Sequence, residues 1–164
     1  MLSSDRRAFV LSLVLLPLAG CGFRPVYGPG GAAEGLRGRV RIQPPQSQEE
    51  FQLVGRLEQR LGRPQAPRYD LNYALETREQ GLSITGQQEI TRYNVIGRLD
   101  FRLVGVNDGK VISSGTLDAF TGYSASASPV ATLSAQQDAH ERLVVILADR
   151  LVTRLLATGA GHSA

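Results

Sequence analysis

The chain holds a single cysteine, Cys21, and its surroundings are the most chemically specific in the sequence. Arg6 and Arg7 precede a thirteen-residue apolar run, Ala8 to Gly20, interrupted by Ser12 and Pro17, and the thiol follows directly behind Leu18, Ala19 and Gly20. A charged n-region, a short apolar h-region and small residues at the cut have the form of an export signal. At about 1.5 Å of helix rise per residue the run would cover roughly 20 Å, short of a roughly 30 Å hydrocarbon core, so a spanning helix is not expected.

Leu18-Ala19-Gly20-Cys21 resembles the bacterial lipobox, in which the thiol takes a diacylglycerol in thioether linkage and the chain is cut just before it. Residues 1–20 are then a lipoprotein signal peptide and Cys21 is the first mature residue, carrying S-diacylglycerol and an N-acyl chain. No other cofactor and no metal are expected. Each buried CH₂ contributes about 0.8 kcal/mol, and two or more chains hold a domain on a bilayer where one would not. Gly22, where an Asp favours inner-membrane retention, points to the outer membrane. Asp5 to Val10 also fits a twin-arginine signal, but paired arginines are common in ordinary signals and the general secretory route is preferred.

Other reactive constellations are missing from the sequence. Acylation of Cys21 leaves no thiol for disulfides, metal or catalysis. His140 stands among Asp138, Glu141 and Arg142, and His162 is in the tail; neither has a nucleophile or a second metal ligand at useful spacing. The glycines at 28–35 follow no strand and open no helix, so they are no phosphate loop. An enzyme is not expected. Removing residues 1–20 leaves 144 residues, one ordinary domain, and lowers the formal charge from +3 to about +2, since the segment holds two arginines and one aspartate. Lys110 is the only lysine, so the basicity is arginine, whose planar fork suits phosphate and carboxylate. Anionic headgroups or an acidic protein surface are suitable partners; nucleic acid is not, for an exported and tethered chain.

The elements that position these residues follow from periodicity. Residues 21–37 are rich in Gly, Pro and Ala and read as a lipidated tether. Within it Phe23, Val26 and Tyr27 either dock on the domain or a partner, or sit at the lipid interface. Val40 and Ile42 alternate with arginines in a short strand stopped by Pro44 and Pro45. Ser47 with Glu50 makes a capping-box pattern before a helix over 48–61, with Phe51, Val54, Leu57 and Leu61 as its apolar residues and Arg56, Glu58, Gln59, Arg60 and Arg63 on its wet side. Tyr69, Leu71, Tyr73 and Leu75 mark a strand whose phase shifts at Gly81, which suggests a bulge or a break, before a turn at 85–88. Tyr93, Val95, Leu99, Phe101 and Leu103 mark a third strand, Asn107-Asp108-Gly109 a hairpin turn, and Val111, Leu117, Ala119 and Tyr123 a fourth. Leu143, Val144, Leu147, Leu151 and Leu155 stripe a last helix, over about 133–156, that covers the sheet; residues 158–164 read as a frayed tail. The fold class is α+β, with two helices on one face of a four-stranded, largely antiparallel or mixed sheet.

The segment Cys21-Gly22-Phe23-Arg24-Pro25-Val26-Tyr27-Gly28 resembles the start of mature lipoproteins of the LptE (RlpB) family. Thr91-Arg92-Tyr93-Asn94, Asp108-Gly109-Lys110-Val111, Ser114-Gly115, Asp138-Ala139, Glu141-Arg142 and Leu147-Ala148-Asp149 match in the expected order. The resemblance implies an LptE-like α/β domain over 38–157 in a non-enzymatic outer-membrane lipoprotein on the periplasmic side. Such a protein helps to assemble and plugs the LPS-translocating β-barrel, LptD, and assists lipopolysaccharide on its way to the outer leaflet. Tyr123-Ser124 and Val130-Ala131 depart from the family's Tyr-Asn and Tyr-Ala pattern, so a barrel contact there does not carry over. By position beside turns, Arg78, Arg92 and Lys110 are the candidates to meet lipid A phosphates, and Arg98 and Arg102, on the charged sheet face, to meet the barrel. An auxiliary lipoprotein of an inner-membrane lipid transporter is the competing reading.

Overall fold

The computed structural model describes residues 35–84, 90–126 and 128–158. Strand β1 (Val40–Ile42) leads to helix α1 (Gln48–Leu61); then come three long strands, β2 (Tyr69–Ile84), β3 (Ile90–Gly105) and β4 (Val111–Ser124), and helix α2 (Pro129–Ala157). The sheet order is β1-β2-β3-β4, with β1 parallel to β2 and the other pairs antiparallel. The α+β class, the two helices and the mixed four-stranded sheet agree with the sequence reading. No helix among the described residues is long and apolar enough to cross a membrane.

Helix α1 begins where its cap residues dictate. Ser47 Oγ accepts the Glu50 N–H at 3.2 Å, while the Glu50 carboxylate accepts the N–H of Gln46, one residue before the usual capping-box partner, at 2.7 Å. Its buried stripe is Leu53, Leu57 and Leu61. The expected place of Phe51 in that stripe is corrected: it is 66 % exposed, because two residues from Leu53 is about 200° around a helix. The wet side is corrected too, since Arg56 reaches α2 and forms a bidentate pair with Asp149 at 2.9 and 3.2 Å. The two helices run side by side in the same direction, as Glu49 in the first turn of α1 meets His140, three turns into α2, and Arg56 meets Asp149 further along both.

Alternation puts the odd-numbered residues of β2, β3 and β4 under the helices. Leu71, Tyr73, Val95, Leu99, Phe101, Leu103, Ala119 and Tyr123 are buried there against Leu143, Leu147, Leu151 and Leu155 of α2. The phase shift at Gly81 is a bulge within a continuous strand: the register slips between Gly81 and Ser83 and again before Ile84. A second slip, between Leu103 and Val104, has no counterpart in the sequence reading. It turns Val111 out, 45 % exposed, so the strand's inward set begins at Ser113 instead. Helix α2 starts earlier than about residue 133, because Ser128 caps it through the Ala131 N–H and Pro129 supplies its first turn.

The core extends back to Leu36, which is fully buried although it falls in the stretch read as a tether. Gly38 N–H donates to Leu61 O at 2.7 Å, so the chain is fastened to the end of α1 as it enters the domain. The residues before 35, the turn at 85–88 and the tail beyond Thr158 lie outside the described residues.

Candidate functional site

Two faces of the domain carry its chemistry. On one side the helices cover the sheet; on the other, no described element covers it. The register aligns the uncovered face in rows: Arg78, Ile96 and Phe120; then Glu76, Arg98 and Asp118; then Ala74, Asp100 and Thr116; then Asn72, Arg102 and Ser114. Arg98 pairs with Asp100 at 3.4 Å, and the Thr116 hydroxyl donates to Asp100, which holds that carboxyl below its ordinary range. Phe120 is 70 % exposed. The face is thus a balanced field of arginine and carboxylate with an apolar island at Ile96 and Phe120.

Both arginines assigned to the charged face, Arg98 and Arg102, are on it. Arg78 joins them, lining with Glu76, Ile96, Arg98 and Asp118 a shallow groove of about 320 Å³. Arg92 lies on the same face nearer the end where β2 turns into β3, opposite Ser124. Lys110 does not join this group. It follows the β3–β4 turn, and the thirteen residue steps of β3 from Arg92 to Gly105, at about 3.3 Å each, put it some 40 Å from Arg92. Cys21 and His162 lie outside the described residues.

The free edge of β4 is occupied by arginines of α2, which the sequence did not reveal. Arg150 donates to Asp118 O and Arg142 to Gly122 O, the latter at 3.2 Å. These carbonyls face away from β3, where another strand could otherwise pair. Ile96 and Phe120 could have been found by reading, as apolar residues at outward positions of alternating strands.

A third assembly lies where the start of α1 meets α2 and the sheet. His140 Nδ1 is 2.5 Å from Glu49 Oε1 of α1 and Nε2 is 2.8 Å from Glu79 Oε1 of β2. Glu79 also accepts from Gln136 at 2.7 Å and from the Tyr123 hydroxyl at 2.8 Å, and Glu49 accepts from Thr77 at 3.0 Å. Burial would push the imidazole down, but its hydrogen bonds to both carboxylates and their charge outweigh it and raise its pKa. Burial would raise Glu79; its three donors, with the charge of His140, lower it instead. The Tyr123 hydroxyl, stacked ring to ring on Tyr93 at 5.1 Å, is pushed up to about 12 by burial and by Glu79 and stays a donor. An open cleft of about 510 Å³ lies beside His140, lined by Gln48, Gln52, Leu133, Gln136 and Gln137. Every member of the cluster is engaged in holding α1, α2 and the sheet together. Among the described residues no group of three His, Cys, Asp or Glu is placed to hold a metal ion.

A family model of the lipopolysaccharide-assembly proteins LptE matches residues 38–155, most of the chain. The chain belongs to the LptE family. No curated protein matches the sequence. Among solved structures, a candidate lipoprotein from Caulobacter crescentus CB15 is similar with a TM-score of 0.67 and 21 % identity, covering 81 % of this chain and 98 % of that one. Rare lipoprotein B from Shewanella oneidensis gives 0.60 and 11 %, covering 77 % and 98 %. A minor lipoprotein from Acinetobacter baumannii gives 0.52 and 19 %, covering 73 % and 89 %. At these identities the likeness is one of fold. The LptE membership places the chain among lipopolysaccharide-assembly lipoproteins, and the matched span coincides with the folded domain.

Proposed function

We propose that this chain is the lipid-anchored, non-catalytic assembly and plug subunit of an LPS-translocating outer-membrane β-barrel of the LptD type. Membership of the lipopolysaccharide-assembly family supports the system. The observation that carries the plug role is the uncovered sheet face. A sheet covered on one side leaves its other face to water or to a partner, and this one offers alternating Arg and Asp rows, which suit the polar lining of a large barrel. Arg98 and Arg102 face the barrel wall in this reading. Arg78 and Arg92, nearer the β2–β3 end, meet the phosphates of lipid A through charge-assisted hydrogen bonds, while Phe120 and Ile96 offer apolar contact to acyl chains. Cys21, with its acyl chains, holds the domain on the periplasmic side of the outer membrane. The cluster around His140 is structural, its carboxylates and imidazole satisfying one another, and the protein is no enzyme.

The test is affinity purification of the full-length acylated protein from its native outer membrane, with mass spectrometry of everything retained. A stoichiometric large β-barrel carrying LPS is the expected result. An inner-membrane transporter in its place would overturn the reading in favour of an auxiliary transport lipoprotein.

A further inference from the structure

At the end of the domain where the chain enters, a belt of backbone hydrogen bonds ties four separate segments together. Gly38 N–H donates to Leu61 O at 2.7 Å, Gln65 N–H to Gly38 O at 3.0 Å, Arg68 N–H to Arg39 O at 2.8 Å, and Val106 N–H to Arg68 O at 2.9 Å. The β3–β4 turn joins the belt through Gly105 N–H to Lys110 O at 2.9 Å. Gly38, Gly62 and Gly109 all take positive φ here, which lets the segments turn tightly enough to meet.

The belt gathers Arg37, Arg39, Arg68 and Lys110, which form no ion pair among the described residues. The acids nearby are already engaged: Glu58 with Arg63, Asp70 with Arg41, and Asp108 with the Lys110 N–H. Beside the cations stand Val106 and Val111, 39 % and 45 % exposed. Further along the helices, Glu49 and Glu79 are bridged by His140, and Arg78 and Arg92 lie on the uncovered sheet face. At the entry pole, then, four cations without an ion pair stand beside exposed apolar tips.

We propose that this pole is a docking surface for an anionic phospholipid leaflet, with Arg37, Arg39, Arg68 and Lys110 on headgroup phosphates and Val106 and Val111 at the headgroup boundary. Charge complementarity selects the partner: cations draw a protein to a negative surface within a Debye length, and apolar side chains add area on contact. The sequence selects the leaflet. Fourteen residues separate Cys21 from Leu36, a reach of at most about 50 Å, and the chain enters the domain at this same pole. The membrane's position rests on the anchor reading; the surface itself does not. Docked in this way, the domain stands with its β2–β3 end, Arg92 included, some 40 Å from the leaflet.

The experiment uses the mature chain from residue 21 with Cys21→Ser, so that no acyl chain contributes. Co-sedimentation with phosphatidylcholine vesicles is measured with and without phosphatidylglycerol, at low and high salt, with LPS micelles as a separate arm. The expected result is salt-sensitive binding to phosphatidylglycerol vesicles, weakened at least about tenfold by Arg37→Gln, Arg39→Gln, Arg68→Gln and Lys110→Gln together. The chain has no tryptophan, so Val106→Trp provides a single reporter, whose emission is expected to shift to the blue on phosphatidylglycerol vesicles. That readout stands even where the fourfold variant fails to fold. No binding, undiminished binding by a folded fourfold variant, an unshifted emission from the Val106→Trp variant, or loss confined to the LPS arm would each overturn the proposal. Because neither barrel nor anchor is present, these outcomes are independent of the barrel purification that tests the plug role.

Discussion

Gly97 of β3 lies directly beneath Leu143 of α2, so closely that a Cβ on Gly97 would stand 2.9 Å from Leu143 Cδ2 and 3.0 Å from Leu147 Cδ1. The inward row of β3 is otherwise large, with Val95, Leu99, Phe101 and Leu103, and this one gap sets how near the helix can come to the sheet. Gly97→Val overfills it, and a loss of about 1–3 kcal/mol of stability is expected. Chemical denaturation at neutral pH checks it; unchanged stability would mean that α2 is not seated as described.

The His140 bridge makes stability depend on pH in a defined direction. His140 has a raised folded pKa, so its contribution is complete below the unfolded value of about 6.5 and is lost as pH rises through the folded value. Glu79 has a lowered folded pKa, so its contribution is present above about 4.3 and is lost as pH falls through its folded value. Stability from the bridge is greatest between those limits. A melting series from pH 5 to pH 9 should fall on the alkaline side, and His140→Gln should remove much of that fall. At pH 6 His140→Ala should cost about 1–3 kcal/mol through the loss of charged hydrogen bonds.

Leu36 tests where the folded domain begins. It is fully buried, and Leu36→Ala should cost about 2–5 kcal/mol as a core truncation. If residues up to 37 were only tether, the change would be silent in thermal melting.

The two groups of arginines should separate function. Arg78→Glu with Arg92→Glu should reduce LPS crosslinking to the purified complex several-fold while the barrel still co-purifies. Arg98→Glu with Arg102→Glu should reduce barrel recovery first. Thermal melting of each pair checks that the domain still folds, since all four side chains lie on the uncovered face. Equal effects on both readouts from both pairs would remove the distinction.

The elements themselves are legible from local pattern. Period two along Tyr69–Leu75 and Tyr93–Leu103, period three to four along Leu143–Leu155, and the Ser47 cap are each set by short-range geometry, so α1 is bounded at 48–61 before any packing is known. The expected export signal and lipobox, like the family resemblance, rest on linear order alone. Other features depend on which residues meet across the fold. In the sequence His140 stands with its helix neighbours, yet its partners are Glu49 and Glu79, ninety-one and sixty-one residues away. Helical period puts Arg56 toward solvent, and only the parallel seating of α1 beside α2 gives it Asp149. The bulge beyond Leu103 turns Val111 outward, since a single extra residue in a ladder reverses the facing of what lies past it. Lys110 shares with Arg78 and Arg92 a place near a turn, but the long strands carry their turns to opposite ends. Side-chain type and spacing determined the elements and, Phe51 and Val111 apart, their wet and dry faces; three-dimensional packing alone decided which charges meet, because sequence separation carries no information about distance once strands some 50 Å long fold back on one another.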